Sequence, residues 1–493
     1  MTSRPVPKHA PRRSLIGTLV KLELRLLLAD RTVASALAFF AAILGAAAWL
    51  GGRHASTHEA AINSASAAQV AAVEAARVQL RELERQRDVP LGSSDPRDPG
   101  SAGHELAVPL ITLPAGALAS VSAGLRDVRP HALRVTTGAQ LSESLSAATP
   151  LIGPSRQSSG AFDPAFVFVV LFPLVVIALS YDILSGERER GTLALLLSQP
   201  LTQRQLVLGK SLARATLLIG AGIGTAWLGV VVSGGRLFTD GAWILTLAYT
   251  AGIASYALFW FALAIAVNAR GGASSRNALI LVGVWLAFTV VVPGLLRVWV
   301  ESRYPPPSRV ELVNEAREAA EEAEAELGAI EGTHGSTTPA PKKGDLTLTP
   351  TQRAASIEEE LAKRTEPVVA AFREQLEAQQ EQVSQLQYAS PAVVLQELLN
   401  DVAGTGSRRQ EHFERQVDAF QKRWRAFFMH KVDSRAQLTS VDWATLPTFT
   451  YQDEPLAELL SRTGFGLLGL LLPALILVLL ALPGLRQIGR LST

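Results

Sequence analysis

Six stretches of this chain are almost free of charge, and they constrain everything else in it. Val33–Leu50, Phe166–Ser180, Trp243–Val267, Leu279–Leu296 and Gly464–Leu482 contain no Asp, Glu, Lys or Arg, and Leu212–Val232 contains only Arg214 near its start. An apolar run of this kind approaches the roughly 20 residues that cross a bilayer as a helix. Within lipid, each backbone polar group must find its partner inside the segment, which leaves helices or a closed barrel. These runs are too long and too continuous for barrel strands. The fold class is therefore an all-α polytopic membrane protein with six transmembrane helices and two extracytoplasmic, mainly helical inserts. Charged residues make up only 18% of the 493 residues, against about 25% in soluble domains, and they are concentrated between the runs.

Taken in order, residues 1–32 form a cytosolic tail and an amphipathic lead-in helix. The first 13 residues are basic and proline-rich. Residues 15–31 then set Leu15, Leu19, Leu22 and Leu26 against Lys21, Glu23 and Arg25. The first span is 33–50. It begins too late for a cleaved signal peptide and reads as an uncleaved anchor with Arg12, Arg13, Lys21, Arg25 and Arg31 on its inner side. Residues 51–160 form the first extracytoplasmic domain, with an Ala-rich helix over Glu59–Arg87, a loop over Pro90–Gly103 and a helix over Val135–Ala148. Span two is 161–181, followed by a cytosolic segment at 182–211. Span three is 212–232, where Gly220, Gly222 and Gly224 allow close helix approach and Arg214 snorkels to the interface. Spans four and five are 243–267 and 279–296.

Residues 297–463 form the second extracytoplasmic helical domain. It contains an acidic helix at Val310–Gly328, a linker at Glu331–Asp345, a striped helix at Ile357–Leu386, and further helix at Val393–Leu399 and Phe413–Phe428. Span six is 464–483, and 484–493 is a cytosolic tail. The short loops carry their Lys and Arg on one side, which places both termini in the cytosol.

The composition removes several chemistries. There is no cysteine, which excludes disulfides, iron–sulfur ligation and thiol catalysis in this chain. A net charge of +2 gives no global field for nucleic acid, and none is expected as a partner. His104-Glu105 lacks the second histidine of a zinc hydrolase, and His412 and His430 have no paired motif, so no metal site is expected. Gly209-Lys210-Ser211 imitates the end of a phosphate-binding loop, but Arg204 stands where the first glycine must be and no strand precedes it. Lys210 reads instead as an anchor at the membrane interface. With no Walker sequence the chain is not an enzyme, and ATP and Mg would belong to a partner.

The polar hairpin from Tyr181 to Ser211 is the best organised segment between spans. Asp182 lies at the membrane edge. Gly186 and Gly191 bracket Glu187, Arg188, Glu189 and Arg190, and Thr192 opens a leucine-rich helix (Leu193, Leu195, Leu196, Leu197). Pro200 and Leu201 make the turn, and Arg204 follows before the chain re-enters the bilayer. Such a helix lies along the interface while its charged end meets a soluble partner.

This hairpin, SYDILSGERERGTLALLLSQPLTQRQLVLGKSLA, resembles the segment after the second span in ABC-2 type transporter permeases. Glu187, Gly191, Thr192, Leu195, Pro200, Arg204, Gly209 and Lys210 carry the match. The aromatic helix and proline–aromatic segment at 412–455 resemble a subgroup with a large second outer region before the last span. The resemblance implies that Asp182, Glu187–Thr192, Pro200, Leu201 and Arg204 couple to a cytosolic ABC ATPase subunit. It also implies a second permease copy or a sibling permease, and a bacterial inner membrane. The size of the outer regions leaves room for a periplasmic or envelope partner. It also leaves an alternative in which ATPase motion reaches the outer domains and nothing is transported.

Overall fold

The computed structural model describes residues 12–86, 90–91, 94–138 except 125 and 127–130, 162–199, 202–232, 241–303 and 384–488, with scattered positions between 314 and 382. Pro200, Leu201, residues 1–11, 139–148, 233–240 and 489–493, the linker 331–345 and most of the expected helices at 310–328 and 357–386 lie outside the described residues.

Among the described residues, six helices are long and apolar enough to cross a membrane, and the protein is a polytopic helical membrane protein. The chain opens with α1 (Arg12–Ala29), which lies at one end of the bundle, called basal here. Asp30 then caps α2 (Arg31–Arg85) by accepting the Thr32 N–H at 2.8 Å. The sequence reading divides this region into a span and a separate outer helix, but it is one helix of 55 residues, about 82 Å long at 1.5 Å per residue. No proline interrupts it. The pair Gly51-Gly52 does not break it either: Gly51 sits where a Cβ would collide with the Ser120 carbonyl. Here glycine serves close approach rather than a turn.

The second span is α3, running from Pro164–Phe166 through a π-helical turn at Val167–Leu171 into Phe172–Ser180. Asp163 starts it, accepting from Phe166 N at 2.8 Å and from Ala123 N at 2.7 Å. Two short helices follow, α4 (Ser185–Glu189) and α5 (Leu193–Leu197). Next come α6 (Gln203–Val232) and α7 (Ala242–Asn268). The fifth span, α8, joins Ser274–Leu286, a second π turn at Ala287–Val291, and Val292–Arg303. After it stand α9 (Pro391–Ala403), α10 (Ser407–Asp433), α11 (Ser440–Ala444) and the last span α12 (Leu456–Ile488). α7 is the central helix, with Tyr249, Ile253, Tyr256, Ala257 and Trp260 fully buried. α8 faces outward along most of its length.

The two inserts meet at the far, distal end and share one core. The apolar stripe of α10 (Phe413, Phe420, Trp424, Phe428) and Trp443 of α11 pack with Ala76 and Leu80 of α2 and with Ile111 and Leu113. Their indoles are satisfied across the inserts: Trp424 Nε1 donates to Gly103 O and Trp443 Nε1 to Pro96 O, both at 3.1 Å. The tip of α2 is tied down as well, with Arg77 Nη2 donating to Trp443 O at 3.2 Å and Ser440 N to Glu84 Oε1 at 2.6 Å.

A small antiparallel ribbon, β1 (Leu110–Thr112) with β2 (Ala132–Arg134), pairs Ile111 with Leu133. It adds a strand element to a region expected to be helical, and Val135–Gly138 continues it without helix. α9, expected inside the outer domain, is instead part of the span core through Val394, Leu395, Leu398, Leu399 and Val402.

Candidate functional site: the basal hairpin

The hairpin between α3 and α6 has an inner side built into the bundle and an outer side that is open. Its apolar seat is a separate cluster in which Ile183, Leu184 and Leu193 meet Leu206 and Val207 of α6, Ile265 and Ala266 of α7, and Ala481 and Leu485 of α12. The leucine-rich helix does not lie freely on lipid: Leu193 is buried here, while Leu195 is 70% exposed.

A chain of ionised groups runs behind this seat. Lys210 Nζ lies 2.7 Å from Glu187 Oε1 and 3.5 Å from Glu23 Oε1. Arg214 Nη2 lies 3.8 Å from Glu23, and its Nη1 is 3.7 Å from Asp182 Oδ1 and donates to Leu179 O at 2.6 Å. Lys210, Glu23 and Arg214 are all buried. Thr192 Oγ1 donates to the second carboxylate oxygen of Glu187, and Arg190 stands 3.7 Å from its first.

Lys210, expected as an interfacial anchor, thus points inward, and Arg214 does not snorkel. The reason is stoichiometric: three carboxylates from α1, α4 and the end of α3 surround two cations of α6, and charges buried this deeply persist only when paired. The Gly-Lys-Ser run has a structural purpose. A Cβ on Gly209 would collide with Leu19, so glycine lets α1 rest on α6 and brings Glu23 to Lys210.

A second set of bonds joins the hairpin to the turn between α7 and α8. Arg188 Nη2 donates to Gly272 O at 2.6 Å. Ser274 N donates to Glu189 Oε1 at 2.7 Å, so a carboxylate from the hairpin serves the N-terminal end of α8, where Ala273 offers no capping side chain. Behind these, Asn268 accepts from Leu184 N at 3.3 Å and donates to Ser180 O at 3.1 Å. Asn277 donates to Ser185 Oγ at 3.3 Å and to Asn268 Oδ1 at 3.4 Å.

Of the residues expected to couple, Asp182, Glu187 and Thr192 therefore face the protein. Arg188 and Glu189 bridge to the next turn. Arg190 and Gly191 are exposed, Gly191 in the left-handed region with φ 73°. Arg204 is half-buried, and Pro200 and Leu201 are not described. The sequence reading assigned Arg214 to the interface and gave no site role to Glu23, Asn268 or Asn277. The signal for Glu23 was an acid in line with Leu19 and Leu27 on an apolar face. The signal for the two asparagines was an amide near each end of the short loop between spans four and five.

A stretch of 129 residues is 34% identical to the "Probable ABC transporter permease protein NosY" of Stutzerimonas stutzeri, covering 24% of this chain and 45% of that protein. That stretch is homologous to an ABC transporter permease. A stretch of 127 residues is 35% identical to the protein of the same description from Pseudomonas aeruginosa, with the same coverage of 24% and 45%. The chain thus spans less than half the length of the curated relatives it matches. Residues 309–452 match a family described as a domain of unknown function, DUF3526. That match takes in α9, which packs in the span core, and α10 and α11, the carboxyl-terminal part of the shared distal core.

Proposed function

We propose that this chain is the membrane-spanning permease subunit of an ABC transporter. The basal end faces the cytosol, with both termini inside, and the membrane is a bacterial inner membrane. The hairpin at 182–204 receives the stroke of a separate ATPase subunit, which binds the ATP and Mg. A second permease copy or a sibling completes the complex. The observation that carries this reading is the two-sidedness of the hairpin. Its inner side is fixed to α1, α6 and the α7–α8 turn by buried ion pairs and hydrogen bonds. Its outer side leaves Arg190, Gly191, Leu195, Ser198 and Gln199 open. A load applied there moves four elements at once.

The test uses Leu195→Asp, which changes an exposed side chain and leaves the ion-pair chain intact. The ATP-binding subunit retained on purification should fall at least tenfold, with the thermal midpoint of the permease unchanged. Undiminished recovery of that subunit and undiminished stimulation of its ATPase would overturn the assignment.

The continuity of α2 supports a second reading, motion without transport. One helix joins the Asp30 cap at the basal end to α11 at the distal tip. Hairpin motion reaching α1 would swing the outer domain, which could act on an envelope protein. Vesicles that turn over ATP and move the distal insert, with no flux of any candidate cargo, would favour this reading over transport.

A further inference from the structure

The distal end of the bundle is closed by α9, which is seated differently from the six spans. Its C-terminal end meets the distal insert, where Gly404 lies against Gly116. Ser390 caps it and donates to Phe288 O at 2.6 Å, and Gly404, with φ 72°, turns the chain back out. Between these ends it rests on glycines of two spans. A Cβ built on Gly252 of α7 would lie 2.6 Å from Leu398 Cδ2, and one on Gly466 of α12 would lie 3.1 Å from Leu398 Cδ1. Asp401 holds it through Arg462 of α12 at 3.4 Å, and Arg462 also holds Glu454 at 2.6 Å.

Next to this seat α7 carries a row of polar aromatic groups. Tyr249, Tyr256 and Trp260 are seven and four residues apart, so they share one helix face. Tyr256 Oη donates to Val169 O at 2.9 Å and Trp285 Nε1 to Val170 O at 3.0 Å. Both carbonyls belong to the π turn of α3. Tyr249 Oη is buried with no hydrogen-bond partner among the described residues, and so is Thr289 Oγ1 in the π turn of α8. Orphaned buried donors are rare enough to need a cause, and π turns within helices cluster at functional sites.

We propose that α9 is a hinged lid beside a ligand seam on α7, and that the seam takes an amphipathic molecule bearing a hydrogen-bond acceptor. The aromatic faces of Tyr249, Tyr256 and Trp260 receive its apolar part, and Tyr249 and Thr289 supply donors that the closed bundle leaves unused. This rests on the permease reading, because a seam closed this tightly needs a driven opening. The drive has a route: α7 ends at Asn268, which bonds directly to the hairpin at Leu184 and to Ser180.

The chain has no cysteine, so L398C/G466C can be installed alone. Leu398 Cβ lies 3.7 Å from a Cβ built on Gly466, within the roughly 3.5–4.5 Å that a disulfide spans. The probe is a monoacylglycerol carrying a photoactivatable diazirine, added to native membranes with ATP, with adducts mapped by mass spectrometry. Reduced L398C/G466C should give adducts within 249–260. Oxidation of the same protein should lower them at least tenfold, and Tyr249→Phe should lower them several-fold without shifting the thermal midpoint downward. Equal yield in the oxidised and reduced forms, or adducts confined to outward-facing residues such as Leu247 and Leu258, would overturn the lid and seam. Loss of ATPase docking at Leu195 with seam adducts still forming without ATP would remove only the permease reading.

Discussion

Removing the amine of Lys210 is the sharpest perturbation of the basal knot. Lys210→Met keeps the stem and deletes the charge, so Glu187 and Glu23 lose the cation that lies 2.7 and 3.5 Å from them. The side chains of Lys210, Glu187 and Glu23 are only 10%, 12% and 10% exposed, so water cannot take its place. Breaking a buried pair from one side costs about 3–5 kcal/mol, whereas an exposed pair is worth about 0–1 kcal/mol. The triple variant Glu23→Gln/Glu187→Gln/Lys210→Met leaves no naked charge at these three positions and should recover more than half of the loss. The assay is equilibrium unfolding in mixed dodecylmaltoside–SDS micelles followed by tryptophan fluorescence. A loss below about 1 kcal/mol for Lys210→Met, with no recovery in the triple variant, would refute the buried knot and restore Lys210 to the membrane interface.

The distal end supplies the other tests. Burial pushes the Glu397 carboxyl up to about 7, and the charge of Asp401 adds to this, with Arg462, Arg408 and Glu454 acting on Asp401 nearby. Its folded value exceeds its ordinary 4.5, so the stability it contributes is full below that value and is lost as pH rises through about 7. Glu397→Gln should flatten this loss, exceeding the parent by roughly 3 kcal/mol at pH 8; parallel thermal-midpoint profiles for the two proteins would exclude it. Trp443→Ala should cost about 3–5 kcal/mol in the same micelle assay, since the indole is 1% exposed and bonded to Pro96 O. Gly404→Ala should cost at least about 1–2 kcal/mol, because a Cβ there would lie 3.2 Å from Gly116 Cα. Gly191→Ala, with a similar φ of 73° but nothing within 4 Å, should cost less, and equal costs would contradict the crowding at Gly404. Burial pushes Asp442 up, but the Lys431 ammonium and the Thr439 donors overcome it and hold the carboxyl below its ordinary range. Its contribution is present above about pH 4 and lost below it, a loss that Lys431→Met should blunt.

The spans were legible because one effect, the exclusion of charge from lipid, decides each of them. An uncharged run such as Trp243–Val267 has few alternatives to a buried helix, and α7 covers it. The hairpin was legible as a unit for the opposite reason, a dense charge cluster between two such runs. What the sequence hid were relations between distant segments. Lys210 looks like an anchor until Glu23, far earlier in the chain, is brought beside it. The Ser390–Ala403 stretch has the composition of any amphipathic helix, and only Gly252 and Gly466 on other spans decide that it packs on the bundle. The span at 33–50 and the helix at Glu59–Arg87 looked separate because polar residues follow Leu50, and local pattern cannot tell that one helix carries through both. The distal core escaped for the same reason: Trp424 and Trp443 find their acceptors at Gly103 and Pro96, across an insert boundary that composition drew between them.

The most direct test of the coupling role is site-specific photocrosslinking from the hairpin in native membranes. A benzophenone amino acid at position 195, whose leucine is 70% exposed, should join the permease to a cytosolic subunit that bears a Walker motif. The same amino acid at position 193, whose leucine is buried against α6 and α7, should join only segments of the permease itself. Crosslinks to lipid alone from position 195, or identical products from both positions, would contradict the proposal that this hairpin receives an ATPase.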